Sequence, residues 1–216
     1  MQRFYLALDR LSRWAAPGGV LLRVRLAAIM LLAYGCFALS YLTINLYSVG
    51  RPAQTLFLPG ETRIPFIPAF EYLYGLGYGL PLLAVFRLPD ARSLRRLLFS
   101  LTLTLLVAYG TYLLFPVYFE RPHLVVDSVA TFLLWLEYHD PSYNHFPSLH
   151  VAVAWLIYLA TRHGVRRRGL LLAVVIGITV STVFVKQHYL LDVGYGMILS
   201  FLTWRLSGRL ETMRRI

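Results

Sequence analysis

The sequence predicts an all-α protein: an integral membrane bundle of six transmembrane helices with an amphipathic helix lying on the membrane surface at its N-terminus. Three observations carry that reading. The 216 residues are 58% hydrophobic and 14% charged, with a mean hydropathy of +0.61; a soluble domain runs near a quarter charged. Apolar runs of helical length recur six times, separated by polar or basic connections. The basic residues fall almost entirely in alternate connections, as the positive-inside rule requires of a membrane protein.

The elements follow in order. Residues 1–18 place Phe4, Leu8 and Leu11 at helical spacing, with Arg3, Arg10 and Arg13 between them. That is the pattern of an interfacial helix with arginines toward anionic headgroups, and Pro17-Gly18-Gly19 ends it. The charges that interrupt this stretch also argue against a cleaved signal peptide. Residues 19–216 form one membrane domain. Its first span runs from about Leu26 to Tyr47, and a polar connection over 48–66 follows. The second runs from about Ile67 to Phe86, with Glu71 near its start and Gly75 and Gly79 spaced for close approach of another helix. A basic loop over 87–96 precedes a third span from about Leu97 to Tyr118.

The longest connection, 119–146, contains an apolar stretch, 124–138, too short to cross a bilayer; it suits an interfacial or re-entrant helix. The fourth span covers about Ser148 to Thr161, extended by neighbours on either side. The fifth runs from about Gly169 to Val185 and the sixth from near Tyr189 to near Trp204.

An even number of spans puts both termini on one side. Seventeen of the 21 Lys and Arg residues lie on that side, and only Arg51, Arg63, Arg121 and Lys186 lie on the other. The termini are therefore expected in the cytoplasm of a bacterial inner-membrane protein. The net charge of +11 is topogenic and does not signal a nucleic-acid partner. The lone Cys36 sits in an apolar run, which excludes a disulfide framework and a thiolate metal site.

Two stretches place polar groups at the edge of apolar runs, on the outer, periplasmic side: Pro147-Ser148-Leu149-His150 and His188-Tyr189-Leu190-Leu191-Asp192. Such groups are expensive in a membrane and mark function. His188 and Asp192, four apart on a helix, share a face. Asp192 can take the proton on one imidazole nitrogen, fixing the tautomer and leaving the other nitrogen as a nucleophile. Pro147 suits a first helical turn. Ser148 and His150 would then lie beside free backbone N–H groups at a helix start, which attracts phosphate. Two histidines, a carboxylate and an anion site make a phosphoryl-transfer centre. No cofactor is implied. His188 and Asp192 offer a metal two ligands, with no further cluster to complete a site.

Arg121-Pro122, Pro147-Ser148-Leu149-His150 and His188-x3-Asp192, in that order and on one face, resemble the three motifs of the type 2 phosphatidic acid phosphatase superfamily. The resemblance covers roughly 114–196. It implies His188 as the nucleophile forming a phosphohistidine, Asp192 as its orienting partner, His150 as general acid, and Ser148 and Arg121 as phosphate ligands. The family's leading Lys falls on Leu114 and the Arg of its third motif on Thr182, so two cations are missing; Lys186 is the candidate to replace one. That loss, with the segment Tyr143-Asn144-His145-Phe146, is similar to the branch of inositol phosphorylceramide and sphingomyelin synthases. The resemblance therefore implies a phospho-head group moved between membrane lipids, with Tyr143 and Asn144 beside the substrate. A lipid phosphate phosphatase is the alternative activity; a non-catalytic lipid transporter or scramblase, suggested by Glu71 and the second-span glycines, is the alternative of another class. The aromatic set Tyr118, Phe119, Phe132, Trp135 and Tyr138 is a candidate lining for the lipid. The sequence sets no oligomeric state.

The charge split makes a direct prediction. A cysteine introduced within 163–168 should be shielded from an impermeant thiol reagent in intact cells, and one within 52–60 should be labelled. The reverse pattern would turn the protein over and put the candidate site in the cytoplasm.

Overall fold

A computed structural model describes Ala7, residues 20–88 and residues 91–213. The expected surface helix over 1–18 lies outside that range apart from Ala7. Among the described residues the protein is all-helical, with no strand. The helices are α1 (Val20–Ser48), α2 (Glu71–Arg87), α3 (Ala91–Leu114), α4 (Val129–Glu137), α5 (Leu149–Thr161), α6 (Arg168–Phe184) and α7 (Leu190–Met213).

The centre of the bundle is α5, which packs against α2, α3, α6 and α7. Ten of its 13 residues are buried, including Val151, Ala152, Leu156 and Ile157. A helix apolar on all sides must be surrounded, and α5 is. By contrast α1 packs mainly against α2 and α3 and exposes Leu31, Leu32 and Leu39 by about 70% each. An apolar helix exposed that far needs lipid as its solvent. Two helices, over Val24–Ser48 and Arg92–Leu114, are long and apolar enough to cross a membrane by themselves.

Helix ends depart from the sequence expectation for local reasons. Pro68 opens a separate 3-10 turn, Pro68–Phe70, so α2 begins at Glu71 and not at Ile67. α3 absorbs most of the basic loop expected over 87–96; Arg96 lies over the Trp204 ring at 3.9 Å and donates to the Trp204 carbonyl. α3 stops at Leu114, four residues early, because Phe115 precedes Pro116 and that position disfavours helix. The chain then runs extended, and Gln54, Val117 and Asn144 pair through isolated bridges that lace three connections together. Between α3 and α7 two hydroxyl pairs meet inside the bundle, Ser100–Ser207 at 2.8 Å and Thr104–Thr203 at 3.0 Å. Buried hydroxyls in an apolar medium need such partners.

Two of the close approaches made at glycines lie beside the two sequence motifs. A Cβ on Gly77 of α2 would collide with the His150 ring, and one on Gly196 of α7 would stand 2.5 Å from the Ser148 carbonyl oxygen. The expected approach at Gly75 and Gly79 does not occur: Gly75 faces the Glu71 carboxylate and Gly79 faces open space.

Gly196→Ala should therefore push α5 and α7 apart at a cost of about 1–3 kcal/mol, the usual range for overpacking, read as a lower Tm. Gly194→Ala, where no atom lies within 4 Å of the added Cβ, should stay near the parent. Equal Tm values for the two variants would remove the crossing from the account.

Candidate active site

A cavity of about 560 Å³ opens between α1, α2, α3 and α5 and the connections that follow α4 and α6. His150, His188, Arg121 and Asn144 all line it.

His188 reaches the cavity through a strained turn. α6 ends at Phe184, and Lys186 adopts φ +55°, the left-handed conformation that closes helices and usually falls to glycine. The turn directs the N–H groups of both Gln187 and His188 onto the Thr182 carbonyl. Thr182, where a cation was expected by family pattern, is fully buried and spends its hydroxyl on the Thr179 carbonyl. The Lys186 ammonium donates to the Ile64 carbonyl at 2.6 Å and does not line the cavity. Leu114, the other missing cation, is 87% exposed on the outside of the bundle.

Asp192 is fully buried one turn beyond His188. Its Oδ2 lies 3.4 Å from His188 Nδ1, which is long, and the alignment is not that of a hydrogen bond: Nδ1 and Asp192 Oδ1 both lack a partner. Oδ2 instead accepts the Tyr189 N–H at 2.9 Å, capping the start of α7. The next amide, Leu190 N–H, is capped from far away in the chain by Glu61, whose other oxygen holds Leu58 N–H. A carboxylate at a helix N-terminus also complements the dipole.

α5 begins at Leu149, so Pro147 precedes the helix and is not in its first turn. The Phe146–Pro147 peptide is cis, and the Pro147 carbonyl accepts from Tyr112 Oη. Ser148 is the N-cap and spends its oxygen on Val151 N–H; it is buried and does not line the cavity. Its own N–H donates to the Asp192 carbonyl at 3.0 Å, tying α5 to α7. His150 stacks on Tyr74 with 4.0 Å between centroids, and its Nε2 lies 3.0 Å from the Tyr74 carbonyl. A carbonyl only accepts, so Nε2 carries the proton and Nδ1 is the nitrogen left for exchange.

Several residues here went unassigned in the sequence. His145 packs its ring edge-on to His188 with 5.3 Å between centroids. Its Nδ1 donates to the Gln187 carbonyl at 2.6 Å and its Nε2 lies 3.0 Å from Ser142 Oγ. Burial, with His188 and Arg121 nearby, holds it neutral, well below the usual histidine range. The ligand atoms of His145, His188 and Asp192 gather within 4.8 Å, but both His145 nitrogens are committed, so the group is a poor metal cage. Gln187 bridges Arg121 and Glu137 through its amide. Arg121 also grips Asp140, at 2.7 Å to Oδ1 and 2.9 Å to the carbonyl.

Tyr143 stays outside the cavity, donating its N–H to Asn45 and packing on Tyr118. Asn144 holds the Tyr41 carbonyl and leaves its buried Oδ1 without a partner. Glu71 is buried behind the wall, against Glu137. Phe119 and Tyr138 and the other aromatics expected around the lipid do not line the cavity; α1, α2 and α3 supply its rings, among them Tyr41, Tyr74, Tyr78 and Tyr112.

A family model described as the PAP2 superfamily matches residues 47–206. No curated protein and no solved structure matches the chain.

Burial lifts the Glu137 carboxyl from 4.5 to about 7, against hydrogen bonds from Tyr78 and Gln187. A carboxyl whose pKa rises on folding holds its proton more tightly in the folded state. Its contribution is complete below about pH 4.5 and is lost as pH climbs through about 7. Glu137→Gln should therefore flatten the fall of Tm with pH across that window. Identical slopes in the parent and the variant would show that Glu137 does not titrate there.

Proposed function

The chain belongs to the PAP2 superfamily, whose enzymes act on lipid phosphates in membranes, and from that premise we propose that it transfers a phospho-head group from one membrane lipid to another through a phosphohistidine on His188. The carrying observation is the single cavity that presents His188, His150 and Arg121 together. His188, through Nε2, the ring nitrogen turned away from Asp192, attacks phosphorus. The N–P bond forms as the P–O bond to the donor's diacylglycerol breaks, and the released alkoxide takes the Nδ1 proton of His150, which enters this step as an imidazolium and keeps its Nε2 proton on the Tyr74 carbonyl. A lipid hydroxyl then attacks the phosphohistidine, returns its proton to His150 and carries the head group away. Two steps replace one hard displacement. Asp192 stabilises the positive ring and closes to bonding distance as charge develops, since catalytic contacts are often long before substrate binds. Six helices, α1, α2, α3, α5, α6 and α7, serve as spans in this reading, with the cavity on the outer face.

The diester preference rests on charge. Leu114 faces outward, Thr182 is buried in backbone contacts and Lys186 is engaged on Ile64. Among the described residues Arg121 is then the one Lys or Arg lining the cavity, and a monoester dianion asks for more than that. In this reading the protein belongs with the inositol phosphorylceramide and sphingomyelin synthase-like branch, which the loss of two cations supports. A lipid phosphate phosphatase, with water as acceptor, is the second reading, and family membership itself favours it.

His188→Ala should lower turnover at least about a thousandfold, the loss expected when a covalent route is removed, while Asp192→Asn should fold and lose rate through a misdirected ring. Purified protein should move head groups from glycerophospholipid to added ceramide or diacylglycerol faster than it releases phosphate from phosphatidic acid or polyprenyl diphosphate. Near-normal turnover by His188→Ala would end the phosphohistidine mechanism. Rapid phosphate release without transfer would make the enzyme a phosphatase.

A further inference from the structure

Among the described residues Arg121 is the cation lining the cavity, yet it does not meet a substrate as a bare charge. Its guanidinium is held end-on by one residue: Nη2 bonds Asp140 Oδ1 at 2.7 Å and Nη1 bonds the Asp140 carbonyl at 2.9 Å. Gln187 Oε1 takes a second Nη2 hydrogen at 3.0 Å. Three of the five N–H donors are therefore spent inside the protein. Nε is buried without a partner, and one Nη1 hydrogen remains, so the group keeps donor capacity after its charge has been matched.

Asp140 is not free to swing aside. Its Oδ2 accepts from Asn45 Nδ2 at 3.1 Å and faces Tyr41 Oη at 3.5 Å. Both partners lie on α1, before the stretch that matches the family model. A second carboxyl, Glu137, lines the same cavity. One arginine thus faces two acidic side chains across a wall whose hydrogen bonds run without a break from Glu137 through Gln187, Arg121 and Asp140 to Asn45.

We propose that Asp140 determines specificity: by neutralising Arg121 in place, it makes the cavity accept phosphate groups bearing one negative charge and reject those bearing two. The inference rests on the reading of this cavity as a lipid-phosphate site, and it names the ionic form that the site takes. Arg121 supplies directional donors, which a monoanionic diester oxygen uses fully. A dianion brings a second charge against Asp140 in a poorly screened, partly buried site.

The test reads binding alone, on the purified full chain in detergent. The probes are an alkyl difluoromethylphosphonate, dianionic at about pH 8, and its monomethyl ester, a monoanion with the same chain. Calorimetry should show the methyl ester binding the parent protein at least about tenfold more tightly, equivalent to about 1.4 kcal/mol. Asp140→Asn should abolish or reverse that preference, and Asp140→Glu should keep it; a merely structural role would weaken both probes alike. A parent protein that prefers the dianion would overturn the inference without any variant, which covers the case in which Asp140→Asn fails to fold. So would an Asp140→Asn protein with the parent's Tm and the parent's preference. Because no turnover is measured, failure of head-group transfer in the activity assay leaves this result standing. Failure of both probes to bind would overturn the lipid-phosphate reading, and this inference with it.

Discussion

The site depends on one backbone hydrogen bond, from Ser148 N–H to the Asp192 carbonyl, made where α5 and α7 cross at Gly196. A helix start in an apolar medium carries amide groups that no water will satisfy. Here the Ser148 amide finds its acceptor in the first turn of the neighbouring helix, and the contact is possible only because residue 196 has no side chain. His150 stands two residues beyond one partner, and His188 four residues before the other. One contact therefore sets the relation between the two histidines, while Gly77 lets the His150 ring seat against α2.

The rest of the scaffold can be read as support for the His188 turn. Lys186 accepts a left-handed conformation that costs an ordinary residue about 1–2 kcal/mol, and four independent anchors hold the turn in place: Tyr138 on the Val185 carbonyl, Lys186 on Ile64, His145 on the Gln187 carbonyl and Glu61 on Leu190 N–H. Local strain persists when its surroundings over-determine it. The anchors come from connections distant in sequence, so the turn's shape is a property of the whole end of the bundle that carries the site.

That division explains what was legible in the sequence. Helix positions were, because apolar periodicity and proline are local signals; the misplaced ends trace to Pro68 and Pro116, whose neighbours were counted as helical on hydropathy alone. The histidine and aspartate positions were legible because four-residue spacing is also local. The roles of Gln187, Glu61, Asp140 and His145 were not, since each depends on a partner many residues away. Lys186 was misjudged for a related reason. Its position two residues before His188 suggested a cation at the mouth, but the left-handed turn sends its side chain toward Ile64. The aromatic lining was sought in the connection before α5, whereas the helices α1 to α3 supply it.

The cavity is deep as well as polar at its mouth. It follows α1 from Tyr41 down to Met30, eleven residues and therefore about 17 Å at the helical rise. On the lipid-phosphate reading proposed above, the molecule that fills it has a polar end at the Arg121 belt and an apolar end inside the bundle, and it arrives from the bilayer. Its relevant concentration is a mole fraction in a two-dimensional solvent, not a molarity in water. Saturation then reports the surface density of lipid around each copy of the protein, and inert detergent or carrier lipid slows the reaction by dilution alone, with every residue of the site unchanged.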